Sequence, residues 1–234
     1  MTNVECRKNL PQPKTTVQQI KSTIHTEKKF FIPNSKYAGI VSLTKPFRMK
    51  RTYRKTDMPV ADIRRLLEPG PIVLVSSRWQ NRDNIMAMGW HCVLEFSPSL
   101  IGCMITASNH SFDMIGKSGE CVINIPTADM IDTIVGIGNT SGRRINKFKK
   151  FNLTPGESQH ISAPRIEECY AHFECRVADR KMLAKYNFFI LEVLGAQAPV
   201  WPRFPRTVHY RGNGVFMESG RNIAMPEKFR PENL

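Results

Sequence analysis

The chain has 234 residues, of which 41% are hydrophobic and 23% charged, with 14 glycines and 16 prolines. This composition is typical of a soluble globular protein and excludes collagen-like, coiled-coil and disulfide-scaffold proteins. The sequence contains no apolar run of about 18 residues or more, and its first thirty residues carry no apolar signal core. We therefore expect a cytoplasmic protein without a membrane span.

The net charge of +14 is concentrated at the start of the chain. Residues 1–55 contain 13 Lys and Arg against 2 Asp and Glu, which leaves a net charge of only +3 for residues 56–234. Affinity for nucleic acid grows with the number of clustered cations. Residues 1–55 are therefore the only part of the sequence whose charge suggests a nucleic-acid partner.

Residues 1–48 lack sustained hydrophobic periodicity and are interrupted by four prolines. This pattern predicts a basic, disordered extension. Met49 stands directly before the basic residues 50–55, after which domain-like sequence begins. Two interpretations are open: Met49 is the true start of the protein, or the extension is an arm that binds nucleic acid or another partner.

The remaining sequence predicts many short strands and few helices. A short helix from Pro59 ends at residues 69–71, a β-branched strand follows at residues 72–77, and a polar turn at residues 78–83 leads into a strand from Asn84. Further strands are predicted at residues 100–107, 121–125, 170–177 and 188–194, and helices at residues 111–117, 128–136 and 143–151. Strands joined mostly by hairpins favour a largely antiparallel β-barrel over a doubly wound sheet.

Several common signatures are missing from the sequence. The six cysteines form no C-x-x-C pair, so we expect reduced and mostly buried thiols and no metal site. The sequence has no G-x-S-x-G, H-E-x-x-H or G-K-[ST] motif. The glycines of residues 136–142 follow a predicted helix instead of a strand, which excludes a dinucleotide-binding fingerprint.

A candidate anion site lies where a predicted strand runs into a helix at residues 108–111. Ser111 is the expected N-cap of that helix. Free N–H groups at a helix start, with hydroxyl and amide side chains beside them, suit a phosphate. A plain capped helix is the alternative. The basic residues 143–151 either supply cations to the same anion or form a solvated helix face.

The strand at residues 84–90 is a second candidate. Its small and flexible residues end at Trp90, whose ring suits stacking on a ligand, and Asn84 offers both a donor and an acceptor to a heterocycle. Plain core packing is the alternative for this strand.

Six segments carry a resemblance to a known family. They are R-D-N-I-M-A-M-G-W at residues 82–90, S-N-H-S-F-D-M-I at 108–115, E-C-V-I-N-I-P at 120–126, G-N-T-S-G-x-x-I-N-K-F at 138–148, E-C-Y-A-x-x-E-C-R-V at 168–177 and R-T-V-H-Y-R-G-N-G-V-F-M at 206–217. In order and spacing they resemble the flavin reductase-like, FMN-binding split-barrel proteins, especially the flavoredoxin-type branch. The resemblance covers about residues 52–229, and we place the domain at residues 52–230.

The resemblance implies a homodimer of split barrels with one FMN per subunit near the interface. Asn84 and the backbone of Met86, Ala87 and Met88 would meet the polar edge of the flavin ring, with Trp90 close to the ring. The other implied FMN contacts are Ser108, Asn109 and Ser111 at the phosphate, Lys147 at the phosphate or ribityl chain with Ser141 nearby, and Phe216 beside the flavin.

One position departs from the family. Many members that use NAD(P)H carry a histidine where this chain has Tyr186, the candidate catalytic residue. A tyrosine can stack on a nicotinamide or flavin, but it lacks the protonation chemistry of an imidazole near neutral pH. The resemblance thus implies an FMN-dependent oxidoreductase that passes hydride or electrons to a flavin, a redox partner protein or a small acceptor, with NADH or NADPH as an uncertain donor. The alternative is a flavoredoxin-like electron carrier without efficient NAD(P)H turnover.

Overall fold

The computed structural model of the protein describes residues 52–63 and 70–231. The predicted disordered extension and the candidate start at Met49 lie outside the described residues, as does most of the helix predicted after Pro59. The strands are β1 (Thr56–Met58), β2 (Val73–Trp79), β3 (Arg82–Met88), β4 (His91–Phe96), β5 (Ser99–Met104), β6 (Glu120–Ile125), β7 (Pro155–Gly156), β8 (Arg165–Ile166), β9 (Ala171–Asp179), β10 (Phe188–Ala198), β11 (Val208–Gly212) and β12 (Val215–Glu218). The helices are α1 (His110–Ser118), α2 (Ile131–Gly138), α3 (Lys147–Lys150) and α4 (Leu183–Tyr186).

One large sheet organises the domain. Its strand order is β3-β2-β6-β9-β10-β5-β4, with β1 pairing to β10, and each pairing is antiparallel. The two end strands, β3 and β4, are consecutive in the chain and are joined only by Gly89 and Trp90. The sheet must therefore curve until its ends approach each other, which gives a barrel split between β3 and β4. The predicted antiparallel split barrel is confirmed.

Both faces of the central strands are buried. In β2, Val73 and Val75 pack into one hydrophobic core together with Met86 and Met88 of β3. Leu74, on the opposite face, packs into a second core under α2 and α3. The predicted face of β9, with Ala171, Phe173 and Cys175 buried and Val177 packed beside them, borders the first core. Burial on two sides explains why β2 reads as a continuous apolar run.

The turn predicted at residues 78–83 is much shorter in the structure. Arg78 and Asp83 are cross-strand partners, and Nε of Arg78 donates to Oδ1 of Asp83 at 2.6 Å. Only Gln80 and Asn81 form the turn, with φ of 50° and 58°. Such a two-residue turn matches the twist of a hairpin. The six-residue prediction was wrong because a charged cross-strand pair resembles turn sequence.

Two helix predictions also need correction. The helix predicted at residues 143–151 is only α3, since Asn146 caps it by accepting from the N–H of Lys149 at 3.0 Å. The helix predicted at residues 128–136 is a 3-10 turn, Ala128–Met130, followed by α2. Strand β4 has no counterpart in the sequence-based prediction. Within the described residues, no helix is long and apolar enough to cross a bilayer.

The cysteine prediction is confirmed for most of the described thiols. Cys103, Cys121, Cys169 and Cys175 are free and buried, whereas Cys92 on the end strand β4 is exposed. Cys6 lies outside the described residues. Burial raises the pKa of the Cys103 and Cys175 thiols well above their ordinary values, so these groups stay protonated.

Candidate functional site

Two adjoining cavities follow the end strand β3. The polar cavity, of about 220 Å³, is lined by Asn84, Met86, Ala87, Ser108, Asn109, His110, Ile137, Gly138, Thr140, Ser141, Gly142 and Lys147. The apolar cavity, of about 250 Å³, is lined by Gly70, Ile72, Met86, Ala87, Met88, Gly89, Trp90, Met104, Ile105, Thr106, Asn109 and Tyr210. Because the two share Met86, Ala87 and Asn109, they form one groove with a polar end and an apolar end.

Strand β3 provides the common wall of this groove. Its place at the end of the sheet leaves one edge without a strand partner. An edge strand keeps alternate N–H and C=O groups unpaired by the sheet. Met86, Ala87 and Met88 therefore bring backbone hydrogen-bonding groups as well as side chains to the groove.

The start of α1 forms one side of the polar cavity. The helix begins at His110 and its N-cap is Asn109, whose Oδ1 accepts from the N–H of Ser111 at 3.1 Å. The prediction of Ser111 as N-cap is therefore wrong, and it failed because Asn and Ser are about equally good caps. Ser108 also lines the polar cavity, and its hydroxyl lies 2.8 Å from that of Thr106.

Ser111 lies behind the wall of the cavity and does not line it. It is fully buried, and its hydroxyl accepts a hydrogen bond of 2.8 Å from Nδ2 of Asn84. The position of Asn84 in the groove is therefore fixed from behind by Ser111.

The side chain of Asn84 is enclosed by α1, through Ser111, and by the loop after α2, through Gly142. Only 2% of the residue is exposed, and its Oδ1 is a buried atom without a hydrogen-bond partner among the described residues. A Cβ atom added to Gly142 would lie 1.9 Å from this oxygen. Gly142 is therefore required for the close approach of the loop after α2 to Asn84.

Lys147 brings a cation to the polar cavity. Its Nζ donates to the carbonyl oxygen of Ile137 at 2.9 Å, in the last turn of α2, where the helix dipole favours positive charge. The residue is 4% exposed, and burial lowers the pKa of Lys147 to about 8. No carboxylate among the described residues pairs with this amine, so the cavity contains a cationic group that suits an anionic ligand.

Trp90 and Tyr210 border the apolar cavity and both are exposed at the surface. The Trp90 side chain lies where the chain passes from β3 to β4, and 66% of the residue is exposed. The ring of Tyr210 contacts that of Phe216 in the neighbouring strand, with 5.0 Å between centroids. Phe216 packs against the second core and supports Tyr210, without lining either cavity.

Tyr186 lies outside both cavities. It ends α4, is 53% exposed, and has the ammonium of Lys185 at 5.1 Å from its ring centroid. The carbonyl oxygen of the next residue, Asn187, accepts from the N–H of Ile105, which lines the apolar cavity. Tyr186 is thus close in the chain to the wall of the groove, and its catalytic role remains a prediction.

The structure brings most of the candidate residues to one groove. Those that line it are Asn84, Met86, Ala87, Met88, Trp90, Ser108, Asn109, Ser141 and Lys147, whereas Ser111, Phe216 and Tyr186 do not. Sequence reasoning missed His110, Thr140, Gly142 and Tyr210, which stand inside the segments that carry the resemblance, so those segments were the signal that could have found them. It also missed the apolar wall residues Ile72, Met104, Ile105 and Ile137, which lie outside those segments.

A family model described as "Flavin reductase like domain" matches residues 64–213. The chain belongs to the flavin reductase-like family. Among curated proteins, the Escherichia coli (strain K12) protein YddH is 29% identical over 174 residues, or 68% of this chain and 92% of YddH. A protein of Archaeoglobus fulgidus is 34% identical over 113 residues, which span 48% of this chain and 64% of that protein.

Two solved structures share the fold of this chain. The FMN-binding domain of a flavin reductases-like enzyme from Shewanella baltica OS155 matches with a TM-score of 0.70 and 28% identity, over 75% of this chain and 99% of that one. The flavoredoxin of Desulfovibrio vulgaris (Miyazaki F) matches with a TM-score of 0.62 and 21% identity, over 68% and 91% of the two chains. At that identity, the flavoredoxin likeness concerns the fold alone.

Proposed function

We propose that this flavin reductase-like domain binds FMN along the groove, with the phosphate in the polar cavity and the ring system in the apolar cavity. Two cavities, one polar and one apolar, adjoin each other along β3, and this observation carries the proposal. FMN has the same division, since a dianionic phosphate and an apolar heterocycle stand at its two ends. The similar domain from Shewanella baltica is FMN-binding, which supports the same cofactor here.

The residues of the polar cavity fit a phosphate ester. Lys147 supplies an ammonium, and Ser108, Asn109 and Ser141 supply hydroxyl and amide groups beside the start of α1. Oδ1 of Asn84 is an acceptor without a partner among the described residues, so it repels a phosphate oxygen and requires a donor. FMN has such donors in the N3–H of its ring and in the hydroxyl groups of its ribityl chain. Because Asn84 lines the polar cavity and not the apolar one, we assign it to the ribityl hydroxyl groups, in place of the ring edge that the resemblance implies.

FMN, when bound, would supply the redox chemistry, the transfer of a hydride or two electrons from a reduced donor to an acceptor. The protein binds and orients the ring with the edge of β3, and Ile72, Met104 and Ile105 exclude water from the apolar cavity. Trp90 and Tyr210 stand at its exposed border, where a donor or acceptor approaches. The activity we propose is that of an FMN-dependent oxidoreductase that transfers hydride or electrons to a flavin or another acceptor.

Absorbance spectroscopy from 300 to about 550 nm tests this function. We expect the purified full chain to carry flavin bands or to acquire them on addition of FMN, and prompt anaerobic bleaching by NADH or NADPH to identify a reductase. Failure to retain added FMN would refute the cofactor assignment.

A second candidate function, an FMN electron carrier, is favoured by Tyr186. The resemblance implies a histidine at this position in members that use NAD(P)H. This chain has a tyrosine there, and it lies outside the groove. Flavin bands that persist with NADH and NADPH, but bleach with a low-potential redox partner protein, would establish the carrier.

Trp90→Ala tests the ring end of the groove. We expect the FMN dissociation constant to rise by about 3- to 10-fold, since an aromatic pair contributes about 0.5–1.5 kcal/mol beyond area burial. The free energy of unfolding should change little because Trp90 is mostly exposed. Trp201→Ala, at another exposed tryptophan that lines neither cavity, is the matched control. Equal FMN affinities in all three proteins would exclude Trp90 from the site.

We also propose that two copies of the chain associate. Strand β4 ends the sheet, and its Leu94 and Phe96 side chains are exposed and apolar, as is Trp90 directly before it. Exposed apolar surface of this kind marks interaction sites. Sedimentation equilibrium of the full chain should report the mass of two chains.

A cytoplasmic location remains a prediction, supported by the free cysteines of the described residues.

A further inference from the structure

A cluster of exposed cations surrounds α4. Arg180 and Lys181 shortly precede the helix and Lys185 lies in its last turn, and all three residues are exposed. Nη1 of Arg180 donates to the carbonyl oxygen of Gly116 at 2.5 Å, which brings the end of α1, with the exposed Lys117, next to this cluster. The α4 patch is the surface formed by Lys117, Arg180, Lys181, Met182, Lys185 and Tyr186.

Carboxylates neutralise little of the charge on the α4 patch. Oδ2 of Asp179 lies 3.6 Å from Nζ of Lys181. Lys117, Arg180 and Lys185 belong to no ion pair in the part of the chain that the structure describes. Three cations of the patch are therefore available to an acidic partner.

Two large apolar side chains stand among these cations. Met182 is 42% exposed and Tyr186 is 53% exposed. The N–H of Tyr186 donates to the carbonyl oxygen of Met182 at 2.9 Å, so the two residues are one helical turn apart and share a face. Tyrosine and methionine are enriched in the centres of protein interfaces, which polar residues surround. The α4 patch therefore has the composition of a surface that binds another protein.

The α4 patch borders the wall of the apolar cavity. The carbonyl oxygen of Asn187, the residue after Tyr186, accepts from the N–H of Ile105 at 3.0 Å. Phe188 then pairs with Met104 across β10 and β5. Because Met104 and Ile105 both line the apolar cavity, a protein bound at the patch would stand beside the end of the groove proposed for the flavin ring.

The charge of the α4 patch favours one kind of occupant. In a two-fold interface a second copy of this chain would bring the same cations face to face, and like charges repel each other. Nucleic acid is also disfavoured, since three available cations are few beside the roughly 6–10 phosphate contacts of a strong binder. An acidic protein surface suits both the cations and the apolar centre.

We propose that the α4 patch docks a small, acidic electron-transfer protein that exchanges electrons with the bound flavin, an inference that rests on the proposed function. Carboxylates of the partner face Lys117, Arg180 and Lys185, and its apolar centre packs on Met182 and Tyr186. When the partner is a one-electron donor, two reduced partner molecules each lose one electron. Those two electrons and one proton from solvent reduce one FMN.

Stopped-flow reduction of the FMN-loaded full chain by a reduced plant-type [2Fe–2S] ferredoxin, a small acidic protein, tests the proposal. We expect Lys117→Gln, Lys185→Gln to lower the second-order rate constant for flavin reduction by about 10-fold at low ionic strength, because complementary charges accelerate encounter. The difference should largely disappear at about 1 M salt, where the Debye length is about 3 Å.

Lys149→Gln, Lys150→Gln is the matched control, because it removes the same charge from exposed positions of α3 outside the α4 patch. We expect this control to change the rate constant less than about 3-fold, since it alters only screened long-range attraction. Photochemical reduction of the bound FMN needs no docked protein and should proceed equally in all variants.

Met182→Glu tests the centre of the patch. It places a carboxylate where the acidic partner packs, so we expect the rate constant to fall by about 10-fold or more. This loss should persist at high salt, because docking would bury the new charge without a partner. FMN affinity should stay unchanged, since Met182 lines neither cavity of the groove.

Equal rate constants in the unsubstituted, patch-substituted and control proteins would overturn the proposal, as would no electron exchange with ferredoxin in either direction. Binding of a DNA oligonucleotide or of anionic lipid vesicles that the patch substitutions abolish, with ferredoxin unaffected, would assign the surface to that ligand and also overturn it. A chain that holds FMN but ignores changes in the patch refutes only the docking surface, whereas a chain that does not hold FMN refutes the proposed function.

Discussion

Replacing Lys147 by methionine is expected to raise the dissociation constant for FMN by about 10- to 100-fold. The substitution keeps most of the apolar stem but removes the ammonium that lines the polar cavity, and a hydrogen bond to a charged group contributes about 1.5–3 kcal/mol. Fluorescence titration of the flavin-free chain measures the effect. The FMN affinity of the Lys147→Met protein should also depend less on salt than that of the unsubstituted chain, because one cation fewer meets the phosphate.

The control for this substitution is Lys149→Met, on the exposed side of the same short helix. It should leave the FMN affinity within about 3-fold, since exposed charges are screened. An equal loss in both variants would show that general positive charge, and not Lys147 itself, attracts the cofactor.

Lys147 also predicts opposite effects of pH on folding and on binding. Burial lowers its pKa from 10.5 to about 8 in the folded chain, so between these values the unfolded chain binds more protons. In the flavin-free protein this group therefore makes the free energy of unfolding rise as the pH increases from about 8 to 10.5. FMN affinity should fall over the same range, because the neutral amine no longer attracts a dianion. Lys147→Met should remove both contributions.

Gly142→Ala is expected to damage both the fold of the site and the binding of FMN. The new Cβ would lie 1.9 Å from Oδ1 of Asn84, and this side chain cannot withdraw without breaking the hydrogen bond that its Nδ2 donates to Ser111. Two buried polar groups then lose their partner, and each such loss costs about 1–3 kcal/mol. We expect the free energy of unfolding to fall by about 2 kcal/mol and FMN affinity to fall by at least about 10-fold, measured by urea unfolding and by flavin titration.

Two further variants make the Gly142 result specific. A Cβ at Gly116, within α1, would meet no atom within 4 Å, so Gly116→Ala should keep FMN affinity and raise helix stability. Adding Asn84→Ala to Gly142→Ala removes the clashing oxygen. The double variant should therefore recover part of the lost stability but not the binding. If the two substitutions changed the free energy of unfolding by amounts that simply added, the close approach of Gly142 to Asn84 would be contradicted.

The sequence identifies the groove where its residues are close in the chain. Strand β3 and the two residues after it supply Asn84 through Trp90 in one stretch, and Ser108 and Asn109 directly precede a helix. Spacing and residue chemistry together therefore indicate a ligand. Lys147 is different, because its residue type alone also fits a solvated face. Only the fold shows it turned inward toward Ile137.

The approach of the β2–β3 hairpin to the loop after α2 could not be predicted in the same way. Arg82 and Arg144 are 62 positions apart, and a polar hairpin and a basic loop each read as ordinary surface. Their meeting depends on the tight turn at Gln80 and Asn81 and on Gly142, which lets the loop approach β3. Local pattern also could not choose between Asn109 and Ser111 as the helix cap, since that choice depends on the hydrogen bond that Ser111 accepts from Asn84 of β3, behind the wall of the groove.

The common wall of the groove limits how the family can vary in length. Asn84 serves the polar end and Met88 the apolar end, and the pairing of β3 with β2 fixes both. Inserting or deleting one residue between them would move one end by about 3.3 Å and turn its side chains to the opposite face. Evolution can therefore exchange side chains along this strand to suit a different cofactor or acceptor, while changes in chain length are confined to the loops on either side.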